Sequence, residues 1–359
     1  MQTGILAIGL LVALALPRQV DDDADPLLNP QADVARDPPA YYSDALFRKM
    51  GEPQPGDWMA AHPEPAQSFA DYVRSQPQPN RPRKVRHWIV LQPLGTMTPE
   101  TRDRMETFRA FLAAYYALPV RTGGWIPMAN VKSRERDLYG RTFRQYLTGD
   151  ILQNMLLPRV KIGTFAVLGV TMDDLYPEES WNYVFGQAWL AHRAGVFSLV
   201  RFYPEFWGDE RTDAAERLGL ARSLQTLVHE VGHMFGVHHC QTHKCVMNGC
   251  NSLRESDARP IHLCPECLRK FRWNIGFDVV ARYEALQAFY ESHAMKVEAE
   301  WIKKRLRECR GTAGGDEKPA EPSTGKGPSL APTSSAGEPG GGPPASRPEK
   351  IVAENGPLR

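Results

Sequence analysis

The chain has 359 residues, with 43 basic against 42 acidic side chains and a formal net charge of +1. So even a balance gives no electrostatic case for a nucleic-acid partner, and none is expected. Hydrophobic residues make up 42% of the chain, enough for a sizeable core, but both ends are poor material for one.

Residues 4–16 (GILAIGLLVALAL) form an apolar run too short for a membrane span. With Ala13-Leu14-Ala15 behind it, the run has the form of a signal-peptide core and cleavage site, so residues 1–17 are expected to direct export. Met1-Gln2-Thr3 carries no basic side chain, which keeps open an uncleaved anchor or a cytoplasmic protein. Residues 18–39 are acidic and proline-rich, a linker by composition. Residues 311–359 are Gly, Pro, Ser, Glu and Lys with few apolar side chains, and are expected to be a disordered tail.

Residues 40–300 read as one α/β domain. The basic stretch Arg81, Arg83, Lys84, Arg86 is a solvated linker before a strand, His87 to Leu91. Thr98 caps a helix from Pro99 to Tyr116, with proline at its first position. Leu118 to Arg121 is a short strand, Phe143 to Leu157 a helix, and Phe165 to Thr171 an apolar and therefore buried strand. Asp173, Asp174, Glu178 and Glu179 follow, read first as a solvated turn and second as partners for a substrate's free amino terminus. Val184 to Ala188 and Val196 to Phe202 are two further strands. The segment from Tyr183 to Ala188 is expected to be a sheet edge that offers its backbone to an extended peptide, with Gln187→Pro as the test. A closing helix runs from Val279 to Met295.

The most informative stretch begins on the helix from Ala215 to Val237, whose apolar residues recur at Leu218, Leu220, Leu224, Leu227, Val228, Val231 and Phe235. His229 and His233, four residues apart, point from one face. Glu230 is offset by one residue, too far round to ligate but close enough to reach a water held there. Gly236 can end the helix in a left-handed turn and let the chain double back with His239 as a third ligand. Three neutral nitrogens leave a zinc ion most of its charge, and Glu230 is the candidate general base. A bare HExxH is a weak signal; Gly236 and His239 at fixed offsets make chance a poor explanation. His238 competes with His239 and is read as a flanking residue.

Five of the six cysteines fall between 240 and 267. Cys240 with Cys245, and Cys264 with Cys267, are two short-spaced pairs across a longer loop, the pattern of a structural tetrathiolate zinc. Disulfides are the alternative in an exported protein. Cys250 is a spare ligand or a small buried hydrophobe, and Cys309 a lone thiol.

The run His229-Glu230-x-x-His233-x-x-Gly236-x-x-His239-Cys240-x4-Cys245-Val246-Met247, followed by Cys264-Pro265-Glu266-Cys267, resembles the archaemetzincins. The segments from Gly56 (GDWMAAHPEPAQSFADYV), from Trp88 (WIVLQPLG) and from Asn251 to Phe271 look like the longer animal branch. The resemblance implies a metzincin-like zincin fold, a mixed twisted sheet with an active-site helix and a C-terminal loop stabilised by four cysteines. It implies a zinc metallopeptidase acting on peptides or proteins, with an aminopeptidase as one form. His229, His233 and His239 would bind catalytic zinc with Glu230 as base. Cys240, Cys245, Cys264 and Cys267 would bind a second zinc, giving two per chain, and Met247 would form the apolar floor beneath the histidines. Two features depart from the family pattern. Cys250 stands where a small polar residue is expected, and the loop from Met247 to Cys264 is a residue short. A monomer is expected, and a membrane association only if the leading apolar run stays uncleaved. A zinc-stabilised binding or regulatory protein is the competing reading. Tyr203 and His243 are near enough in sequence to be weighed as oxyanion donors, without a motif behind either.

Overall fold

The computed structural model describes residues 34–75, 86–96, 98–138, 140–250 and 253–311. The expected signal peptide, most of the linker, the basic stretch 81–85 and the tail from 312 lie outside the described residues. Among those described, no helix is long and apolar enough to cross a membrane.

Among the described residues eight strands form: β1 (Arg86–Leu94), β2 (Val120–Thr122), β3 (Ser133–Leu138), β4 (Arg141–Leu147), β5 (Gly163–Thr171), β6 (Asp174–Tyr176), β7 (Gly186–Trp189) and β8 (Ala194–Ser198). The larger sheet has the order β2-β1-β5-β8-β7, parallel except for β7, which runs antiparallel to β8. Every residue of β5 is buried, as its unbroken apolar run requires of a strand covered on both faces. Leu168 and Val170 join the larger core with Leu224, Leu227 and Val231, whereas Val167 joins a smaller one with Ile151, Leu152 and Leu156.

The helices that position the site are α1 (Phe69–Arg74), α2 (Pro99–Tyr116), α3 (Asp213–Met234), α4 (Pro265–Ile275), α5 (Val279–Ser292) and α6 (Lys296–Cys309). Thr98 caps α2 as expected, its side chain accepting from the Thr101 amide at 3.2 Å. Thr212 does the same for α3 through the Ala215 amide, and Asp213 and Glu216 lie in that first turn where the helix dipole favours acids. Helix α6 buries Ile302, Leu306 and Cys309 against the core, so the folded body continues beyond residue 300. Val34 is also part of that core, within the stretch that composition marks as linker.

Two expected elements are corrected. The segment from Phe143 to Leu157 is not one helix: β4 runs through Leu147, and helical structure begins at Thr148, including a π-type turn over Ile151–Leu156. The cause is a second sheet, β3-β4-β6, in which Glu135 pairs with Arg144 and Arg136 with Phe143. The Gln145 side chain is buried and donates to Asp174 at 2.8 Å. The expected strand Val196 to Phe202 ends at Ser198, after which Val200–Phe202 turns as a 3-10 helix.

Candidate metal centres

Helix α3 sets His229 and His233 one turn apart with their Nε2 atoms separated by 3.0 Å. The helix ends after Met234, and Gly236 takes φ +80°, a conformation that favours glycine, so the chain reverses. Three contacts hold the reversal. Tyr72 Oη donates to the Phe235 carbonyl at 2.8 Å. The Gln67 amide donates to the Gly236 carbonyl and accepts from the His238 N–H, both at 3.1 Å. His239 is thereby brought to the other two histidines, and ligand atoms of all three lie within 4.8 Å of one another. His238 is exposed and outside the cluster.

Each histidine has its Nδ1 occupied. His229 Nδ1 meets the Val246 carbonyl at 2.8 Å, His233 Nδ1 the Val237 carbonyl at 2.7 Å, and His239 Nδ1 a Glu64 carboxylate oxygen at 2.7 Å. All three acceptors require a proton on Nδ1, which leaves the convergent Nε2 atoms as lone-pair donors. Burial drives the same way: it holds His229 well below the usual histidine range and His233 down to about 3. Three imidazoles with their ligand atoms gathered at one point fit a zinc ion.

Glu64 and Arg259 are site residues that the sequence reading missed. Glu64 comes from the segment before α1. Burial raises its pKa, but hydrogen bonds from His239 and Trp58 outweigh that and bring it to about 2. The Trp58 indole sits edge-on to His239 with ring centroids 5.4 Å apart, and its N–H donates to Glu64 at 3.0 Å. Their only prior signal was the likeness of this segment to the animal branch. Arg259 lies just past the short helix Leu253–Ala258 and donates to the Asn248 carbonyl at 2.9 Å.

Glu230 is 8% exposed and opens onto a pocket of about 450 Å³, part of it open to solvent, with His229, His239, Trp58, Phe185 and Phe202. Burial raises its pKa to about 7, opposed by the charge of Arg259. None of the four acids from the loop at 173–179 lines this pocket. Asp173 accepts from the Thr96 amide at 2.8 Å, and Asp174 is locked in a buried ion pair with Arg201 at 2.7 Å. Tyr203 and His243 are also elsewhere. Tyr203 lies under the Arg104 guanidinium, 3.7 Å from the ring centroid, and His243 faces Asp44 at 3.0 Å beside the cysteines.

Cys240, Cys245, Cys264 and Cys267 are buried and converge with their sulfurs within 4.8 Å of one another, and no disulfide links them. The Cys240 and Cys264 sulfurs are 3.6 Å apart. A tetrahedral site with zinc–sulfur bonds of about 2.3 Å places sulfurs roughly 3.8 Å apart. Backbone amides support the sulfurs: the Cys264 N–H donates to Cys245 Sγ at 3.3 Å and the Cys267 N–H to Cys264 Sγ at 3.4 Å. Thiol donation, chiefly from Cys245, lowers Cys240 to about 7, and donation from Cys240 and its neighbours holds Cys264 well below the usual range. Cys250 stands apart from the cluster and lines the Glu230 pocket, and Cys309 is a free, buried thiol on α6. Met247 lies against α3 between the two histidines. A Cβ at Gly232 would come within 2.5 Å of its sulfur, so only glycine there lets the thioether reach the helix.

The model of Peptidase family M54 matches residues 122–273, which hold both clusters. Archaemetzincin-2 of Homo sapiens is 34% identical over 268 residues, covering 67% of this chain and 74% of that protein. Archaemetzincin of Pyrococcus furiosus is 32% identical over 193 residues, covering 54% of this chain and 96% of that protein. A solved archaemetzincin from Methanopyrus kandleri is 28% identical, covering 55% of this chain and 99% of that one with a TM-score of 0.41. Identity of this level over most of both sequences shows that the chain belongs to the archaemetzincins, peptidase family M54.

Proposed function

We propose that this zinc metallopeptidase cleaves peptide bonds with Glu230 as general base and His229, His233 and His239 as ligands of the catalytic zinc. Cys240, Cys245, Cys264 and Cys267 hold a second, structural zinc, and Met247 is the floor between them. The observation that carries the reading is the set of three engaged Nδ1 atoms, which turns every Nε2 into a donor beside a buried Glu230. Zinc on three nitrogen donors supplies Lewis acidity to a substrate carbonyl and to a neighbouring water. Glu230, with a pKa near neutrality, takes a proton from that water and returns it to the leaving amine. Trp58, Phe185 and Phe202 wall the pocket with apolar surface and limit water. Profiling a peptide library with wild type and Glu230→Ala at equal zinc content tests the assignment. Equal turnover would favour the competing reading, a zinc-stabilised binding protein.

The acids at 173–179 do not line the pocket, so they offer a substrate's free amino terminus no partner there. The edge strand supports cleavage of an extended peptide instead. β7 ends the larger sheet, and Phe185 and Gly186 line the pocket. The Ser198 amide donates to the Phe185 carbonyl at 2.7 Å, and Gln187 is opposite Val196 two residues on. Alternation along an antiparallel ladder therefore turns the Gln187 N–H toward β8, and leaves the Gly186 and Ala188 amides on the free edge. Gln187→Pro would break the sheet rather than the peptide site. Ala188→Pro is the better test, because proline is tolerated where the missing N–H faces outward. It is expected to raise KM for extended peptides about fivefold, the loss of one hydrogen bond of roughly 1 kcal/mol, with unchanged thermal stability. An unchanged KM would detach β7 from substrate binding.

Glu64 gives a separate check on the histidine cluster. Removing a carboxylate that orients a metal-bound imidazole costs about 10–100-fold in metal affinity. Glu64→Ala should weaken catalytic zinc by that factor in a chelator competition while leaving the cysteine-bound zinc in place.

A further inference from the structure

Four buried arginines face the same physical problem, a guanidinium away from water, and Arg305 meets it with an ion pair to Glu308 at 2.7 Å. Arg201 is paired with Asp174 at 2.7 Å. Arg282 lies over the Tyr115 ring, 4.6 Å from its centroid, and donates to the Tyr115 carbonyl. Arg259, only 6% exposed, has neither an ion-pair partner nor an aromatic ring under its guanidinium among the described residues. Its Nη1 donates to the Asn248 carbonyl at 2.9 Å and stands 3.2 Å from His229 Nδ1, while its Nε has no hydrogen-bond partner. Its charge acts on Glu230, whose pocket it lines, but among the described residues no carboxylate is within ion-pair distance of it.

A buried cation without an ion-pair partner is costly, and a well-placed anion offsets part of that cost. Thr226 and Ser256 line the same pocket, and Glu230 is its sole acidic side chain among the described residues. With a divalent ion on neutral histidines, the pocket is net positive before substrate enters. We propose that Arg259 binds a carboxylate of the peptide substrate and makes the enzyme select peptides with an acidic group near the cleaved bond; this rests on the peptidase reading above. The carboxylate comes either from an Asp or Glu side chain or from the peptide's free C-terminus, and the guanidinium fork is suited to both.

Full-length, zinc-loaded protein is given peptides that differ only as Asp against Asn at each position, and as free acid against amide at the C-terminus. One arm is expected to show at least tenfold higher kcat/KM for the acidic member, about 1.4 kcal/mol, and that arm identifies the source. In Arg259→Met the ratio collapses to about one, and in Arg259→Lys part of it remains. Binding supplies a readout that needs no turnover. Zinc-loaded Glu230→Gln protein should bind the fluorescently labelled acidic peptide at least tenfold more tightly than its neutral partner, and the Glu230→Gln/Arg259→Met double variant should not. The proposal is overturned if wild type discriminates in neither arm. It is overturned equally if the discrimination survives Arg259→Met at equal zinc content. Preferential binding of the acidic peptide without any turnover in wild type supports Arg259 and counts against the peptidase reading alone.

Discussion

Glu230→Gln is expected to lower kcat for peptide hydrolysis by about 10²–10⁴-fold, the range that general acid–base catalysis contributes. Glutamine keeps the shape of the side chain and cannot accept the proton. Zinc content should be unchanged, because Glu230 is outside the group of three convergent histidines. The same substitution has the opposite effect on stability. Burial raises the Glu230 pKa from 4.5 to about 7, so the fold favours the neutral acid. Stability is therefore unaffected below the unfolded value and declines as pH rises toward the folded one. A neutral amide escapes that penalty. In metal-free protein at pH 8, Glu230→Gln should unfold at a higher temperature than wild type by an amount equivalent to at most about 3 kcal/mol, and at pH 4 the two should coincide. Loss of activity with gain of stability is the pattern of a residue kept for chemistry. If the variant were both inactive and less stable at pH 8, Glu230 would be a structural acid.

What could be read from sequence was what lies close along the chain. His229, Glu230 and His233 are positioned by one helical turn, and Gly236 reverses the chain through a local preference, so HExxHxxGxxH carries its geometry within itself. The four cysteines were legible for the same reason. Glu64 was not, because its partner His239 is 175 residues away and an isolated glutamate has no pattern. Arg259 follows a short helix in a charged loop, and only the fold shows that it turns inward. The second sheet was missed because β3 (Ser-Arg-Glu-Arg-Asp-Leu) is built from charged residues that pair across strands, such as Glu135 with Arg144 at 3.3 Å. Apolar periodicity cannot detect such a strand. The Gln187 test failed on register, since which amide faces the free edge depends on pairing with β8 and not on β7 itself.

The cysteine cluster should be the larger determinant of stability, and its loss should reach the histidines. Cys245, Val246 and Met247 are consecutive. Fixing the Cys245 sulfur fixes the Val246 carbonyl that holds His229 Nδ1 at 2.8 Å and the Met247 thioether beneath Gly232. The Cys240 amide donates to the Met247 carbonyl at 2.8 Å, tying the third histidine's neighbour to the same loop. Cys264 adds a further link as the cap of α4, where its sulfur accepts from the Cys267 amide. Structural zinc binding is worth about 10–16 kcal/mol in zinc-finger peptides, comparable with the roughly 5–15 kcal/mol that stabilises a whole domain. Cys267→Ser is therefore expected to abolish a cooperative thermal transition above 37 °C, with both zinc ions lost by elemental analysis. His239→Ala should lose one zinc ion and keep its melting temperature within a few degrees, because the cysteines still organise the loop. Cys250→Ser, outside the cluster, controls for loss of a thiol and should retain two. A chelator of moderate affinity should strip wild type in two steps, inactivation at the histidine site first and unfolding at the cysteine site later. If Cys267→Ser keeps both zinc ions and the wild-type melting temperature, the four sulfurs are not a metal site, and their convergence would have to be explained as the packing of small apolar side chains alone.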